Sequence, residues 1–183
     1  MLEGKSVGLR PLETGDAWLL HKWFNDQRVL EDLGAEHLYF AVSLEEEAAV
    51  TQHMVNDDEA VWFIVHELEQ REPIGVIGLA AMDRRSSSAE LRIVIGEPCL
   101  WNKGLGTEAI DIVLDHAFTV RNLHRVWLRV AAYNERAISC YKKCGFTLEG
   151  RARHDHFHNG GWKDALHMSI LEDEFRGRGD ARR

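Results

Sequence analysis

The run from Ala89 to Val120 constrains this chain more than any other segment. Ala89–Ile95 reads as a strand, and it passes through Gly96-Glu97-Pro98 into a glycine-bearing loop, Trp101-Asn102-Lys103-Gly104-Leu105-Gly106. From Thr107 to Val120 the pattern becomes helical. Ala109, Ile110, Val113, Leu114, Ala117 and Phe118 recur at the i, i+3, i+4 spacing of one buried stripe. A strand that hands over so directly to a helix with one apolar side needs a sheet for that helix to lie on.

The rest of the chain supplies the sheet. Val7 and Leu9 begin a short strand that Pro11 ends, and Trp18, Leu19, Lys22 and Trp23 sit at helical spacing after Thr14 and Asp16. Ser43-Leu44-Glu45-Glu46 has the form of a capping box, Ser43 at the N-cap and Glu46 at the third helical position, opening a helix to about Asn56. Ala60–His66 and Ile74–Met82 read as strands joined by a turn through Pro73. Strand Arg125–Val130, a helix near Glu135–Cys144, a strand opening at Gly145-Phe146 and a last strand from about Asp164 to Leu171 follow. Strands early and helices interleaved late predict an α/β chain, one mixed sheet with helices on both faces. At 183 residues there is room for one domain, over 1–175, with 176–183 expected to fray.

Composition narrows the class of partner. Asp and Glu number 30 against 22 Lys and Arg, a net charge of −8, and no basic block longer than a pair is present. Such a surface repels nucleic acid and attracts cations. Ten histidines predict a pH dependence below neutrality. Three cysteines at uneven spacing are no disulfide framework, and no apolar run approaches the ~20 residues of a membrane span. With no basic-then-apolar pattern over Met1-Leu2-Glu3-Gly4-Lys5, a cytoplasmic location away from membranes is expected.

Gly104 and Gly106 lack a Cβ, so a bulky anion can approach inward-facing backbone N–H groups there. A helix N-terminus at Thr107 adds partial positive charge. The combination suits a pyrophosphate, although a glycine pair before a helix also makes an ordinary tight turn. A dinucleotide fingerprint is excluded because its third glycine and the acidic residue ending the next strand are missing, and a phosphate-binding lysine loop because Thr107 follows Gly106 with no lysine between them.

Downstream, Asn134, Ala137, Tyr141, Gly145 and Phe146 form a second signature. With the glycine loop, this resembles the GNAT superfamily of acyl-CoA-dependent N-acyltransferases. Leu9-Arg10-Pro11-Leu12, Glu149-Gly150-Arg151, Asn159-Gly160, Asp164 and Met168 extend the likeness over nearly the whole chain. They point to the branch holding spermidine N-acetyltransferase and the ribosomal-protein N-terminal acetyltransferases. The resemblance implies a mostly antiparallel sheet with a splayed parallel strand pair, acetyl-CoA as donor, and direct attack by an amine in a ternary complex.

By the same resemblance Ile93, Val94 and Ile95, on a bulged strand, hold the pantetheine arm. Trp101, Asn102, Lys103, Gly104, Leu105, Gly106 and Thr107 cradle the phosphates, and Asn134, Arg136, Ala137, Tyr141 and Lys143 complete the donor site. Trp101 departs from the Gln or Arg usual at its position. Tyr141 is the expected acid for the leaving thiolate, the alternative being a packed core tyrosine. Asn134 bonds to the donor or caps the helix, or does both. Glu90 matches a glutamate near the substrate amine in polyamine-acetylating relatives; it takes a proton, holds a cation, or is an exposed strand residue. Glu31, Asp32 and Glu36 are candidates for a cationic acceptor rim. A polyamine suits the acidic surface, while a protein N-terminus, an aminoglycoside amine and a non-catalytic acyl-CoA-binding module stay open. A homodimer or larger homo-oligomer is compatible with the resemblance.

Two further patterns compete. His154, His156 and His158 would share one strand face, a zinc-like spacing that adjacent strand positions cannot close into a tetrahedron alone, so no metal is expected. Cys140 and Cys144 fall at i, i+4; a covalent acyl-cysteine is conceivable, but their positions in the motif are variable ones and suit packed thiols. Trp18, Trp23, Trp62, Trp127 and Trp162 read as core or pocket walls, with Trp23 a candidate flank of the acceptor site.

Overall fold

A computed structural model describes residues 2–33 and 42–181. The chain runs β1 (Leu2–Glu3), β2 (Val7–Pro11), α1 (Ala17–Phe24), α2 (Gln27–Leu33), α3 (Leu44–Asn56), β3 (Val61–Glu67), β4 (Glu72–Asp83), β5 (Ser88–Ile95) and α4 (Leu105–Asp115). It continues through β6 (Arg125–Ala131), α5 (Glu135–Lys143), β7 (Thr147–His158), β8 (Gly161–Leu171) and α6 (Glu172–Ala181). One eight-stranded sheet has the order β1-β2-β3-β4-β5-β6-β8-β7. All its neighbours are antiparallel except β5 and β6, which run parallel.

The two faces bury different cores because side chains alternate along a strand. Phe63 and Val65 join Ala109, Ile110, Val113, Leu114, Ala117 and Phe118, the expected stripe of α4 and the turn after it, in the larger core. Ile64 between them joins Leu19, Leu20 and Trp23 of α1 in the smaller one. The stripe is almost completely dry, none of its six residues being more than 1% exposed. Beyond Asp115 the helix widens into a π turn, His116–Val120.

Local bonds explain where elements begin. Arg10 and Asp16 pair at 2.6 Å, which ties the end of β2 to the start of α1. Burial alone would raise the Asp16 carboxyl, yet the bonds from Arg10 and from the Glu13 N–H hold it below its ordinary value. At α3 the Ser43 Oγ accepts from Glu46 N at 3.1 Å and Glu46 accepts from Ser43 N at 2.9 Å, the expected reciprocal cap.

Several expectations are corrected. Pro73 lies inside β4, and residues 68–71 make the turn, because the first residues of a strand tolerate a missing N–H. α4 begins at Leu105, two residues earlier than Thr107, since Gly104 at φ +84° is its N-cap and Gly106 fits the first turn. The irregularity expected in β5 is in β4, where the register with β5 shifts between Ala80 and Asp83 and Ala81 takes φ +47°. α2 was not anticipated, lacking an apolar stripe long enough to read.

Residues 176–181, expected to fray, continue α6. Phe175 packs on Phe118 with ring centroids 5.2 Å apart. Arg178 donates to the Cys144 carbonyl, to the Lys143 carbonyl at 3.1 Å and to Asp111 at 3.1 Å. Trp18 and Trp162 are exposed rather than core, while Trp23 is fully buried.

Gly96 shows how tight that burial is, since a Cβ there would lie 2.0 Å from Cγ of the Trp23 indole. Gly96→Ala is expected to lower stability by about 1–3 kcal/mol through overpacking, read as a reduced urea midpoint.

Candidate active site

The sheet parts in the middle. β5 and β6 pair only at Ser88–Arg125, Ala89–Val126 and Glu90–Trp127. Beyond Glu90 the strands diverge, so Ile93, Val94 and Ile95 have β4 on one side and a cleft of about 540 Å³ on the other. The same cleft is lined by the loop from Leu100 to Thr107, by Val130 and Ala131 of β6, and by residues of α5.

The loop fits an anion. Asn102 at φ +62° and Gly104 at φ +84° turn the backbone left-handed before α4 starts. The first-turn N–H groups of Leu105, Gly106 and Thr107 precede any intrahelical acceptor, and the helix ladder begins with Glu108 N to Gly104 O at 3.0 Å. A Cβ on Gly104 would meet no protein atom within 4 Å, and one on Gly106 would only touch Ile95 and Ile93. The backbone is therefore laid open toward the cleft, as a diphosphate requires. Lys103 and Lys143 line the cleft as well and bring positive charge.

Trp101 contributes more than its departure from the usual residue suggested. Its Nε1 donates to the Ile95 carbonyl at 2.8 Å, which fastens the loop to the end of β5. The Arg136 guanidinium lies 3.6 Å from the centroid of its ring, a cation–π contact that holds Arg136 on the cleft wall.

On α5, Asn134 caps the helix by accepting from Ala137 N at 3.0 Å. Ala137 and Tyr141 are on the cleft wall one helical turn apart. Tyr141 is 9% exposed and meets Phe146 edge-on at 5.8 Å. Burial drives its phenol well above the ordinary value, so it stays protonated at neutral pH.

Cys140 also lines the cleft, with its Sγ 3.2 Å from Thr107 Oγ1. Hydrogen bonding with Cys144 is the largest cause of its lowered value of about 7, and the bond to Thr107 adds to it. Cys144 is pushed up by its bond to Cys140 and by burial. The pair seals the seam between α4 and α5.

Glu90 stands at the vertex where the strands part. Its Oε2 accepts from Arg92 Nη2 at 2.7 Å and Nε at 2.9 Å, so half of the carboxylate is already engaged. That pair was not anticipated, although the i, i+2 spacing of the two residues puts them on one strand face. Of the expected acidic rim, Glu31 is exposed on α2, the Asp32 backbone lies in the same helix, and Glu36 lies outside the described residues. Instead, α2 presents Val29 and Leu33 to the cleft. His156 of β7, to which the sequence assigned no role, lines the cleft too. Among the described residues no three His, Cys, Asp or Glu side chains converge on a metal position.

Comparison with known proteins agrees with this geometry. The family described as Acetyltransferase (GNAT) domain matches residues 6–147. Spermidine N(1)-acetyltransferase of Escherichia coli (strain K12) is 32% identical over 175 residues, covering 96% of this chain and 91% of the relative. That of Vibrio cholerae is 32% identical over 172 residues, covering 94% and 96%. The crystal structure of the Vibrio cholerae spermidine N-acetyltransferase in complex with CoA and spermine superimposes with a TM-score of 0.84 at 29% identity, over 94% of this chain and 99% of that one. The chain belongs to the GNAT acetyltransferase family and is an N-acetyltransferase that uses acetyl-CoA as donor.

Proposed function

We propose that the protein acetylates a primary amine of a polyamine by direct attack in a ternary complex. The observation that carries this reading is Glu90, a carboxylate at the vertex of the cleft, half engaged by Arg92 and half left for a cation. The net charge of −8 favours a polycationic acceptor, and the similarity to spermidine N-acetyltransferases supports the same class. The three cysteines are free thiols, in keeping with a cytoplasmic enzyme, and no described helix is long and apolar enough to cross a membrane.

The residues divide the work. The amides of residues 105–107, with Arg136, Lys103 and Lys143, would hold the diphosphate of the donor. The free edge of β5 at Ile93–Ile95 would align its pantetheine arm. Bound acetyl-CoA supplies an activated acyl carbon and a thiolate leaving group. Tyr141, kept protonated by burial, gives that thiolate its proton. Glu90 holds the ammonium group of the acceptor beside the acyl carbon, which turns encounter into proximity.

A thiol-release assay across spermidine, an aminoglycoside and N-terminal peptides tests the acceptor class. Spermidine should give the highest kcat/KM; a preference for a neutral or peptidyl amine would refute the polyamine reading. Tyr141→Phe should slow kcat about 10–100-fold with acetyl-CoA affinity little changed. Glu90→Gln should raise the KM for spermidine and leave the KM for acetyl-CoA in place, as loss of one charge contact on the acceptor alone predicts.

A further inference from the structure

The wall of the cleft that belongs to β7 carries a second ionisable group. β7 and β8 pair at Ala152–Ala165 and again at His156–Lys163, so three residues of β7 face one of β8 between these pairs. At this bulge His154 takes φ +51° and its N–H donates to Asp164 Oδ1 at 2.8 Å. A bulge re-aims the side chains beyond it. The three histidines therefore do not share a face as their alternation predicted: His154 is exposed, while His156 and His158 are buried.

His156 is 6% exposed and lines the cleft. Its Nδ1 lies 3.1 Å from Asp155 Oδ2, and that oxygen also pairs with Arg129 of β6 at 3.1 Å. The ring of Tyr133 tilts against it at 5.9 Å and stacks flat on His158 at 5.0 Å. Nε2 of His156 is buried and has no hydrogen-bond partner in the structure. An imidazole that lines a reaction cleft, held at one nitrogen by a carboxylate and with the other buried and unpartnered, is arranged as a base. Glu90 is the weaker candidate for that step because its charge is already shared with Arg92.

We propose that His156 takes the proton from the acceptor ammonium through Nε2, with Asp155 as the positioning residue behind it. The step rests on acetyl transfer to an amine. The proton passes from nitrogen to Nε2, and the freed lone pair forms the C–N bond to the acyl carbon. The C–S bond breaks, and the thiolate takes the Tyr141 proton. The amide nitrogen sheds its second proton, which restores Tyr141, and the imidazolium returns its own to water. The charged groups around His156 are Asp155 on its own strand, Arg129 of β6 and Lys163, paired across from it on β8. His158 on the same strand and Glu31 of α2, which acts on His158, complete the set.

The test is the pH profile of kcat/KM for spermidine with acetyl-CoA. The unaltered enzyme should lose activity on the acid side in a single-proton limb. His156→Gln should cut kcat/KM about 100-fold and flatten that limb, with the dissociation constant for acetyl-CoA unchanged as proof of folding. Asp155→Asn, a milder change, should move the limb to lower pH, because the imidazolium loses its carboxylate. In protein labelled with ring-15N histidine, spermidine added with CoA should shift one Nε2 signal, absent from His156→Gln. An unmoved limb in both variants, or no Nε2 response in an enzyme that turns over, would overturn the assignment while leaving acetyl transfer standing. An enzyme that releases no thiol with any amine would overturn both.

Discussion

The structure depends on a failure of hydrogen bonding. β5 and β6 are parallel neighbours for three residue pairs and then separate, although both continue as strands. Separation leaves one edge of β5 without a strand partner, which a sheet tolerates only where something else uses those amides and carbonyls. The loop after β5 turns back through left-handed Asn102 and Gly104, so the start of α4 faces the same opening. Three sources of backbone polarity thus converge on one cleft: a free strand edge, a left-handed loop and a helix N-terminus.

Charge is arranged against the average of the molecule. The chain as a whole carries −8, yet one end of the cleft gathers the helix N-terminus, Lys103, Lys143 and an Arg136 held in place by Trp101. The vertex instead carries Glu90. One cleft thus sets a cluster of positive groups at one end apart from a carboxylate at the vertex, whose charge Arg92 shares. The net negative charge of the chain does not cancel that positive end, because such fields are local at physiological salt.

Much of this was legible in the residues, for reasons that differ. The α4 stripe and the Ser43–Glu46 box are short-range patterns that depend only on helix geometry, and both stand as read. The glycine loop was legible because few residues tolerate the backbone angles found at Gly104. The start of α4 was misplaced because Gly106 is a poor helix former that the first turn nevertheless accepts. The bulges in β4 and β7 escaped because register is a property of two strands, and no single stretch of sequence displays it. The bulge in β7 also parts His154 from the face that buries His156 and His158, which the alternation of the three does not display. α2 was missed because Gln27–Leu33 is too short for a periodic signal, and its Val29 and Leu33 reach the cleft through tertiary contact alone.

Arg178 carries a consequence of another kind. Its guanidinium closes the carbonyl end of α5 and reaches Asp111 of α4. A proteolytic trim after Phe175 would keep every cleft residue while removing the clasp on the helix that bears Tyr141. During synthesis that clasp likewise forms only after every described strand has been made, so the helix bearing the phenol packs into the core first and gains its carbonyl-end tie later.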